Sequence, residues 1–400
     1  MSFFISRFFR AISGIVTIFL LKYFGSDDVL GTFTYWSIII LFGAVFVQYN
    51  HQVFVLRYKD SIAEKFSSLF YNQLLFWIIL NLIFVFALPL NYFLISFIFL
   101  TVLLFDPWES YYTIVKDYKL TNKVIILLSI TSIILKIFTI LLIEKSKLAP
   151  CFLALTILDY SSGLILFAIY EKSFSFYTKI NINETIKTFN FLFPFLLNVL
   201  LIFLAAKVDH LLIKSKLDFA ELGIYSFAYK FYEGAFILQV IFNSIIVSKY
   251  TDSFTSKGIK LEFIDFLKKW FVIIGISILI ACLMMFYSLT IDDYLPIKNL
   301  HREITILLIL TPGLLFSFFG VIMSALASVN GFSKELLIIN TTVFFISLIL
   351  NYFLIDIYGL YVSAIITLMN QILSSFLFWF CFRRTRVYLF NLLRNLLCLN

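Results

Sequence analysis

Residues 207–233 read KVDHLLIKSKLDFAELGIYSFAYKFYE and place a dense group of charges beside strongly apolar sequence. This stretch also repeats an earlier part of the chain. Residues 222–225 (LGIY) correspond to residues 30–33 (LGTF), an offset of 192 positions. The same offset pairs Lys214 with Lys22, and residues 249–253 (KYTDS) with 57–61 (RYKDS). Three matches at one offset predict two related halves in a chain of 400 residues.

The composition excludes an ordinary soluble domain. The chain is 62% hydrophobic and 14% charged, with a mean hydropathy of +1.00, whereas about a quarter of the residues of a soluble protein are charged. Apolar runs of about 20 residues recur along the whole chain, which is the length that crosses a bilayer as a helix. The net charge of +8 fits the Lys and Arg that cytoplasmic loops collect, so it does not indicate nucleic-acid binding.

The apolar runs predict an all-α polytopic membrane protein with about twelve transmembrane helices in two six-helix lobes. The predicted spans are residues 4–24, 31–56, 67–88, 90–115, 123–143, 148–170, 189–213, 223–248, 268–289, 303–329, 335–355 and 360–381. We expect lobes at residues 1–188 and 189–382, followed by a cytoplasmic amphipathic tail at 383–400 on the membrane surface. The first apolar run is expected to stay as a helix, because no small-residue cleavage site follows it.

The basic residues predict the orientation. The outer loops would hold only Lys145, Lys147, Lys214, Lys216, Lys298 and Arg302, and four Lys would lie inside helices, so most of the 31 basic residues fall on the opposite side. Basic residues collect in cytoplasmic loops, so both termini are expected in the cytoplasm. Six helices in each half give the two halves the same orientation, which makes the repeat parallel. A second offset of 211, which pairs Lys123 with Lys334 and Asp159 with Asn370, supports it.

Ionisable residues well inside membrane helices are costly and are functional candidates by default. The basic candidates for binding substrate are Arg10, Lys22, Lys136, Lys207 and Lys230. The acidic candidates for coupling transport to an ion are Asp159, Asp209 and Glu233.

Structural alternatives exist for most of these residues. Lys22 could reach the outer surface beside Asp27 and Asp28, and Arg10 could serve only as an orientation charge near the inner interface. Lys207 could pair with Asp209 at the end of its helix. Lys230 and Glu233, three residues apart, could neutralise each other. Asp159 has no basic neighbour on its own helix and lacks such an alternative.

Enzyme signatures are absent from these 400 residues, including nucleotide-binding and nucleophile-elbow motifs. No helix offers two metal ligands on one face, and the four Cys are scattered through apolar segments. We therefore expect no catalytic residues, no metal and no cofactor.

Three stretches resemble one known family. Residues 20–43 (LLKYFGSDDVLGTFTYWSIIILFG), 207–233 and 350–371 (LNYFLIDIYGLYVSAIITLMNQ) resemble Wzx-type O-antigen and polysaccharide repeat-unit flippases. This polysaccharide-export family belongs to the superfamily that also contains the MATE drug exporters and the peptidoglycan-precursor flippase. The resemblance runs from about Phe8 to Arg384. It departs from the family at Asp356 and at Val362-Ser363, where the family often has Pro and Gly-Ala.

The resemblance implies a flippase with two lobes around a central cavity that opens alternately to the two sides. Its substrate would be an undecaprenyl-diphosphate-linked oligosaccharide, an O-antigen or capsule repeat unit, moved to the outer leaflet of the bacterial inner membrane for lipopolysaccharide biosynthesis. A polysaccharide polymerase and a chain-length regulator would be its partners. Asp209, Lys22, Lys230 and Glu233 fall at positions where the family has acidic or basic residues.

Two other functions are also compatible with the sequence. A MATE-like drug or cation antiporter has the same fold, although buried cations suit it poorly. A membrane polysaccharide polymerase, an enzyme, would need a large basic outer loop, and the outer loops predicted here are short.

Overall fold

A computed structural model describes residues 2–49, 51–58, 62–169, 181–255, 261–290, 300–330 and 333–396. All regular elements in these ranges are helices. The chain folds into two compact units, residues 1–203 (unit 1) and 204–400 (unit 2). The division falls inside a single long helix. The predicted lobes at residues 1–188 and 189–382 and the predicted tail at 383–400 stay predictions.

Unit 1 contains nine helices in its described part and the first two-thirds of a tenth. They are α1 (Ser2–Leu20), α2 (Asp27–Gln48), α3 (His51–Arg57), α4 (Ile62–Ala87), α5 (Leu90–Leu103), α6 (Asp106–Tyr111), α7 (Tyr118–Leu142), α8 (Leu148–Tyr160), α9 (Ser162–Ile169) and α10 (Ile182–Lys216).

Unit 2 takes the end of α10 and seven further helices among its described residues. They are α11 (Phe219–Thr255), α12 (Leu261–Thr290), α13 (His301–Leu310), α14 (Gly313–Asn330), α15 (Ser333–Tyr358), α16 (Leu360–Ser375) and α17 (Arg383–Leu396). In α17, which covers much of the predicted tail, Leu389 is buried in the same apolar cluster as Trp379.

The prediction of a polytopic helical membrane protein is confirmed. Among the described residues, ten helices are long and apolar enough to cross a membrane, or eleven when the bent pair α8 and α9 counts as one span. About twelve spans were predicted, and the segment at 223–248 is not among those counted. It lies within the 37-residue α11, which is about 55 Å long at 1.5 Å of rise per residue. Many side chains on the outer faces are apolar and exposed, such as Phe86, Leu142 and Met284, as lipid contact requires.

Several predicted spans are broken helices. The span at 90–115 divides into α5 and α6, and Pro107 lies in the first turn of α6, where its missing N–H leaves no extra unpaired group. The span at 303–329 divides into α13 and α14 at Thr311 and Pro312. Proline removes a backbone donor and clashes with the preceding turn, which explains a break at this place.

The turn before α2 recurs before α11 at the repeat offset. α2 begins at Asp27 and α11 at Phe219, which are 192 positions apart. Ser26 caps α2 by accepting a hydrogen bond from the backbone N–H of Val29 (3.3 Å). Asp218 caps α11 in the same way from the N–H of Glu221 (2.7 Å). Such caps satisfy backbone donors that a helix start leaves unpaired, and their shared register agrees with the repeat.

Candidate functional site: the buried charges of each unit

The buried charge pair of unit 1 joins α7 to α8. The Lys136 side chain has no exposed surface, and its Nζ lies 3.0 Å from Asp159 Oδ2. Asp159 Oδ2 also accepts hydrogen bonds from the hydroxyls of Ser13 on α1 and Ser132 on α7, each at 3.1 Å. The basic partner that Asp159 lacks on its own helix therefore comes from α7. The pair is neutral and enclosed by protein, so a role for Lys136 in binding substrate would require it to open.

A second cluster of unit 1 contains Arg10. Its Nη2 lies 2.8 Å from Glu109 Oε2 and 3.1 Å from the Ser162 hydroxyl. Ser162 in turn donates to the Glu109 carboxylate. The Arg10 side chain is mostly buried (17% exposed), and its guanidinium lies 5.7 Å from the Tyr160 ring centroid. Arg10 therefore holds α1 to α6 and α9, which a charge that only sets orientation would not do.

Gly163 allows this cluster to form. A Cβ at Gly163 would lie 2.4 Å from the carbonyl oxygen of Phe105, which is closer than a real Cβ atom approaches an oxygen. Glycine is the residue that permits such an approach between backbones. The start of α9 therefore lies directly against the break between α5 and α6, with Ser162 beside Glu109.

Glu109 was missed by sequence reasoning. It lies with Asp106 in the run DPWES (106–110), inside a predicted span, and both acids are buried. The rule that selects ionisable residues inside membrane helices would have found them. Asp106 accepts a hydrogen bond from Gln48 on α2 (2.7 Å).

Lys22 lies in a π-helical turn, Leu21–Gly25, between α1 and α2. Its Nζ is 2.5 Å from Asp27 Oδ1, and the Lys22 side chain is 10% exposed. The pairing with Asp27 fits the structural alternative for this residue. A substrate-binding role for Lys22 stays a prediction.

The charge triad of unit 2 consists of Lys207 on α10 with Lys230 and Glu233 on α11. Glu233 Oε2 accepts from Lys230 at 3.0 Å, and Glu233 Oε1 accepts from Lys207. The exposed fractions of the side chains are 15% for Lys207, 26% for Glu233 and 37% for Lys230. The expected pair of Lys230 and Glu233 forms, but Lys207 joins it. These three side chains together carry one excess positive charge.

Asp209 has a set of partners separate from the triad. Its Oδ1 accepts from the backbone N–H of His210 and lies 2.7 Å from His210 Nδ1. Its Oδ2 accepts from the Tyr225 hydroxyl (2.6 Å) and from Thr367 on α16 (3.1 Å). The alternative that pairs Lys207 with Asp209 is therefore wrong, because each residue has a different partner. This turn of α10 therefore bonds to α11 through Lys207 and to both α11 and α16 through Asp209.

The two sets of unit 2 meet at Tyr229. The Lys207 ammonium lies 4.6 Å from the Tyr229 ring centroid, and the His210 ring lies edge-on to Tyr229 at 4.6 Å. An aromatic ring attracts a cation on its face. Tyr229 therefore touches both the triad and the His210 ring, so a change of charge at His210 would be felt by Lys207. His210 was not predicted to belong to a site.

No group of three or more His, Cys, Asp or Glu residues that could hold a metal occurs in the part of the chain that the structure describes. Three of the Cys residues (Cys151, Cys282 and Cys381) are free, and Cys398 lies outside the described residues.

Comparison with known proteins shows which solved structures resemble this fold. No protein-family model matches the chain, and no curated protein matches it either. Among solved structures, the lipid II flippase MurJ in an inward closed conformation aligns with 99% of this chain and 90% of its own, at a TM-score of 0.68 and 19% identity.

MATE transporters align over similar lengths. An outward-facing multidrug resistance MATE transporter of the MOP superfamily gives a TM-score of 0.60 at 13% identity, with 98% of this chain and 94% of its own covered. A Vibrio cholerae MATE transporter gives 0.62 at 14% identity, with 97% and 96% covered. The chain is thus a polytopic α-helical membrane protein with the fold that MurJ and the MATE transporters share.

Proposed function

We propose that the chain is a flippase that moves a polyprenyl-diphosphate-linked oligosaccharide between the leaflets of a membrane. The observation that carries the proposal is the triad of Lys207, Lys230 and Glu233, with its excess positive charge and its partly exposed Lys230. A charge that faces hydrocarbon at the bilayer centre costs about 2.5–3.5 kcal/mol on insertion scales, so residues of this kind face polar surroundings. An ammonium in such a place is suited to bind the anionic diphosphate of a lipid carrier.

The similarity to MurJ supports a lipid-linked substrate, because that protein is named as a flippase of lipid II. The resemblance to Wzx-type flippases makes an O-antigen or capsule repeat unit the cargo in our proposal. The membrane would be the bacterial inner membrane. A polysaccharide polymerase and a chain-length regulator would act on the product.

A drug or cation antiporter is the second candidate, since MATE transporters share the fold. The triad disfavours it, because its excess positive charge repels a cationic cargo. An assay that measures both lipid flipping and dye export distinguishes the two functions.

For the driving ion, we favour a proton at His210 over sodium. Both oxygens of Asp209 already accept hydrogen bonds from His210, Tyr225 and Thr367, which leaves little room to coordinate a cation. An imidazole can bind and release a proton, and the His210 ring nitrogen lies against the Asp209 carboxylate. Glu233 is already paired with Lys207 and Lys230, and Asp159 with Lys136, so the charge of each carboxylate is balanced. Membrane potential acting on the charged cargo is a further source of drive.

The function is tested with the full chain in proteoliposomes that contain a fluorescent polyprenyl-diphosphate disaccharide, with a quencher added outside. We expect the fraction of quenched lipid to rise when the protein is present. A lack of flipping together with export of a cationic dye would replace this proposal by the antiporter. In cells, depletion should accumulate complete repeat units on the cytoplasmic side, whereas single units on the outer side would indicate a polymerase.

Lys230 provides the first prediction of this mechanism. Lys230→Gln should lower the apparent affinity for the lipid by roughly tenfold to a hundredfold, because a hydrogen bond to a charged group contributes about 1.5–3 kcal/mol. Lys230→Arg should keep most of the activity. Lys147→Gln is the matched control, since Lys147 forms an exposed pair with Glu144. Unchanged flipping kinetics in Lys230→Gln would remove the triad from substrate binding.

A further inference from the structure

A cavity of about 420 Å³ lies at one end of unit 2. It is found where α10 and α15 end and where α11, α13 and α16 begin. Its polar and aromatic lining comes from Asp218, Glu221, Arg302, Tyr358 and Tyr361. We call it the Arg302 cavity. Its volume falls within the roughly 300–1,000 Å³ range of small-molecule sites.

Arg302 and Glu221 form a rigid polar wall of this cavity. Arg302 Nη1 and Nη2 lie 2.9 and 2.5 Å from the two oxygens of Glu221, a two-point pairing that holds both groups in one plane. The Arg302 side chain remains 43% exposed, and a guanidinium has five N–H donors, so donors are left for a ligand.

Gly359 lines the cavity at the turn between α15 and α16. Its φ of +67° lies in the left-handed region that favours glycine, and a Cβ there would meet no atom within 4 Å. This glycine lets the chain turn sharply from α15 into α16, which brings Tyr358 and Tyr361 to the cavity.

The charges of the lining argue against an anionic ligand. Asp218 and Glu221 outnumber Arg302, so the lining residues sum to one negative charge. A diphosphate would be repelled here, in contrast to the triad. Two aromatic rings beside a planar group of donors and acceptors suit a sugar ring, whose apolar face stacks on tyrosine while its hydroxyls form hydrogen bonds.

Tyrosines near helix ends also occur in the aromatic belts of membrane proteins. Tyr352 and Tyr358 fit that description by their exposure, which is 52% and 65%. Tyr352 also lies beside Lys216, whose ammonium is 4.3 Å from its ring centroid. Tyr361 differs, since it is only partly exposed and lines the cavity together with the ion pair. Tyr352 and Tyr361 therefore allow the explanations to be separated.

We propose that the Arg302 cavity binds a pyranose ring of the carbohydrate part of the cargo. The proposal rests on the proposed function for the source of that sugar. Because α10 ends and α11 begins on the side predicted to be outside, the cavity would receive the saccharide after translocation. It is a second site, separate from the triad that is proposed to bind the diphosphate.

The test is saturation-transfer NMR on the full chain in lipid nanodiscs with the methyl glycosides of glucose, galactose and N-acetylglucosamine. Inorganic pyrophosphate serves as the charged probe. We expect at least one glycoside to bind saturably, and Tyr361→Ala to weaken it by about tenfold through loss of ring stacking. Asp218→Asn should also weaken it, and because Asn is a good N-cap this variant keeps α11 intact. Tyr352→Ala is the matched control and should bind like the unmodified chain.

Three results would overturn the inference: no saturable binding of any glycoside, equal losses in Tyr352→Ala and Tyr361→Ala, or pyrophosphate competing for the glycoside signal. The flipping assay is read separately. Active flipping without glycoside binding overturns this inference alone, whereas absence of flipping overturns the proposed function.

Discussion

Lys136 and Asp159 illustrate the energetics of an ion pair inside a membrane helix bundle. Each charge would be costly alone, but together with the hydroxyls of Ser13 and Ser132 they form a neutral, hydrogen-bonded set. Replacing such a pair by apolar residues is often neutral, whereas removal of one partner leaves an uncompensated charge. The contribution of the pair to stability can therefore be measured by comparing a variant that lacks one partner with a variant that lacks both.

We expect Asp159→Asn to destabilise the protein by about 3–5 kcal/mol, because Lys136 is left buried without its counter-charge. The double variant Lys136→Met with Asp159→Leu should recover most of the loss. Glu144→Gln, in an exposed pair, should change stability by less than about 1 kcal/mol. Unfolding in detergent measures all three. A stable Asp159→Asn would show that the pair does not stabilise the fold.

At the scale of elements, α10 presents its charges to two neighbouring helices. Lys207 bonds to Glu233 on α11, while Asp209 bonds to Tyr225 on α11 and Thr367 on α16. The His210 ring is buried with these groups, and both it and the Lys207 ammonium contact the Tyr229 ring. Protonation of His210 would therefore alter the charge balance beside the triad.

We predict that His210→Gln abolishes the dependence of flipping on a pH gradient, because glutamine keeps hydrogen bonding but cannot gain a proton near neutral pH. Flipping by the unmodified chain should accelerate with the gradient. His301→Gln is the control, since His301 is an exposed residue at the start of α13. Proteoliposomes with an imposed gradient provide the measurement, and a preserved gradient response in His210→Gln would contradict the proton proposal.

The close approach of α9 to the break between α5 and α6 makes a second prediction at this scale. Gly163→Ala should destabilise the protein by about 1–3 kcal/mol, because the added Cβ would overlap the Phe105 carbonyl. Gly275→Ala is a matched control, since a Cβ there meets nothing within 4 Å; in a helix interior it should be neutral or stabilising by about 1 kcal/mol. Equal melting temperatures for the two variants would contradict the close approach.

At the scale of the whole molecule, the repeat and the basic residues together predict the orientation. An even number of spans in each half would give both halves the same direction in the membrane, and the bias of Lys and Arg would set that direction. Both termini would then be cytoplasmic.

Single cysteines test this orientation in a chain whose four native Cys are replaced. We expect Lys147→Cys to react with a membrane-impermeant thiol reagent added outside intact cells. Lys119→Cys should react only after the membrane is permeabilised, because it lies on the side rich in basic residues. The reverse pattern would invert the predicted topology.

Local features of the chain were enough to predict the architecture. Hydrophobic length determines where a helix can cross a bilayer, so the polytopic helical class followed from the apolar runs. The repeat at 192 positions agrees with the starts of α2 and α11, because helix caps depend on a few neighbouring residues. The selection of charges inside membrane helices also followed from local sequence, since the cost of burial depends on the segment around each residue. These charges are Arg10, Lys136, Asp159, Lys207, Asp209, Lys230 and Glu233.

Apart from the pair of Lys230 and Glu233, which their spacing predicted, the partners of those charges were decided only by tertiary structure. Asp159 finds Lys136 on another helix, Arg10 finds Glu109 almost a hundred positions away, and Asp209 pairs with its neighbour His210 rather than with Lys207. The physical reason is that electrostatic and hydrogen-bond energies depend on distance in space, which helix packing sets and sequence spacing does not. Gly163 and Gly359 are further examples. The contact that Gly163 allows and the cavity that Gly359 lines form only after helices far apart in the chain have packed together.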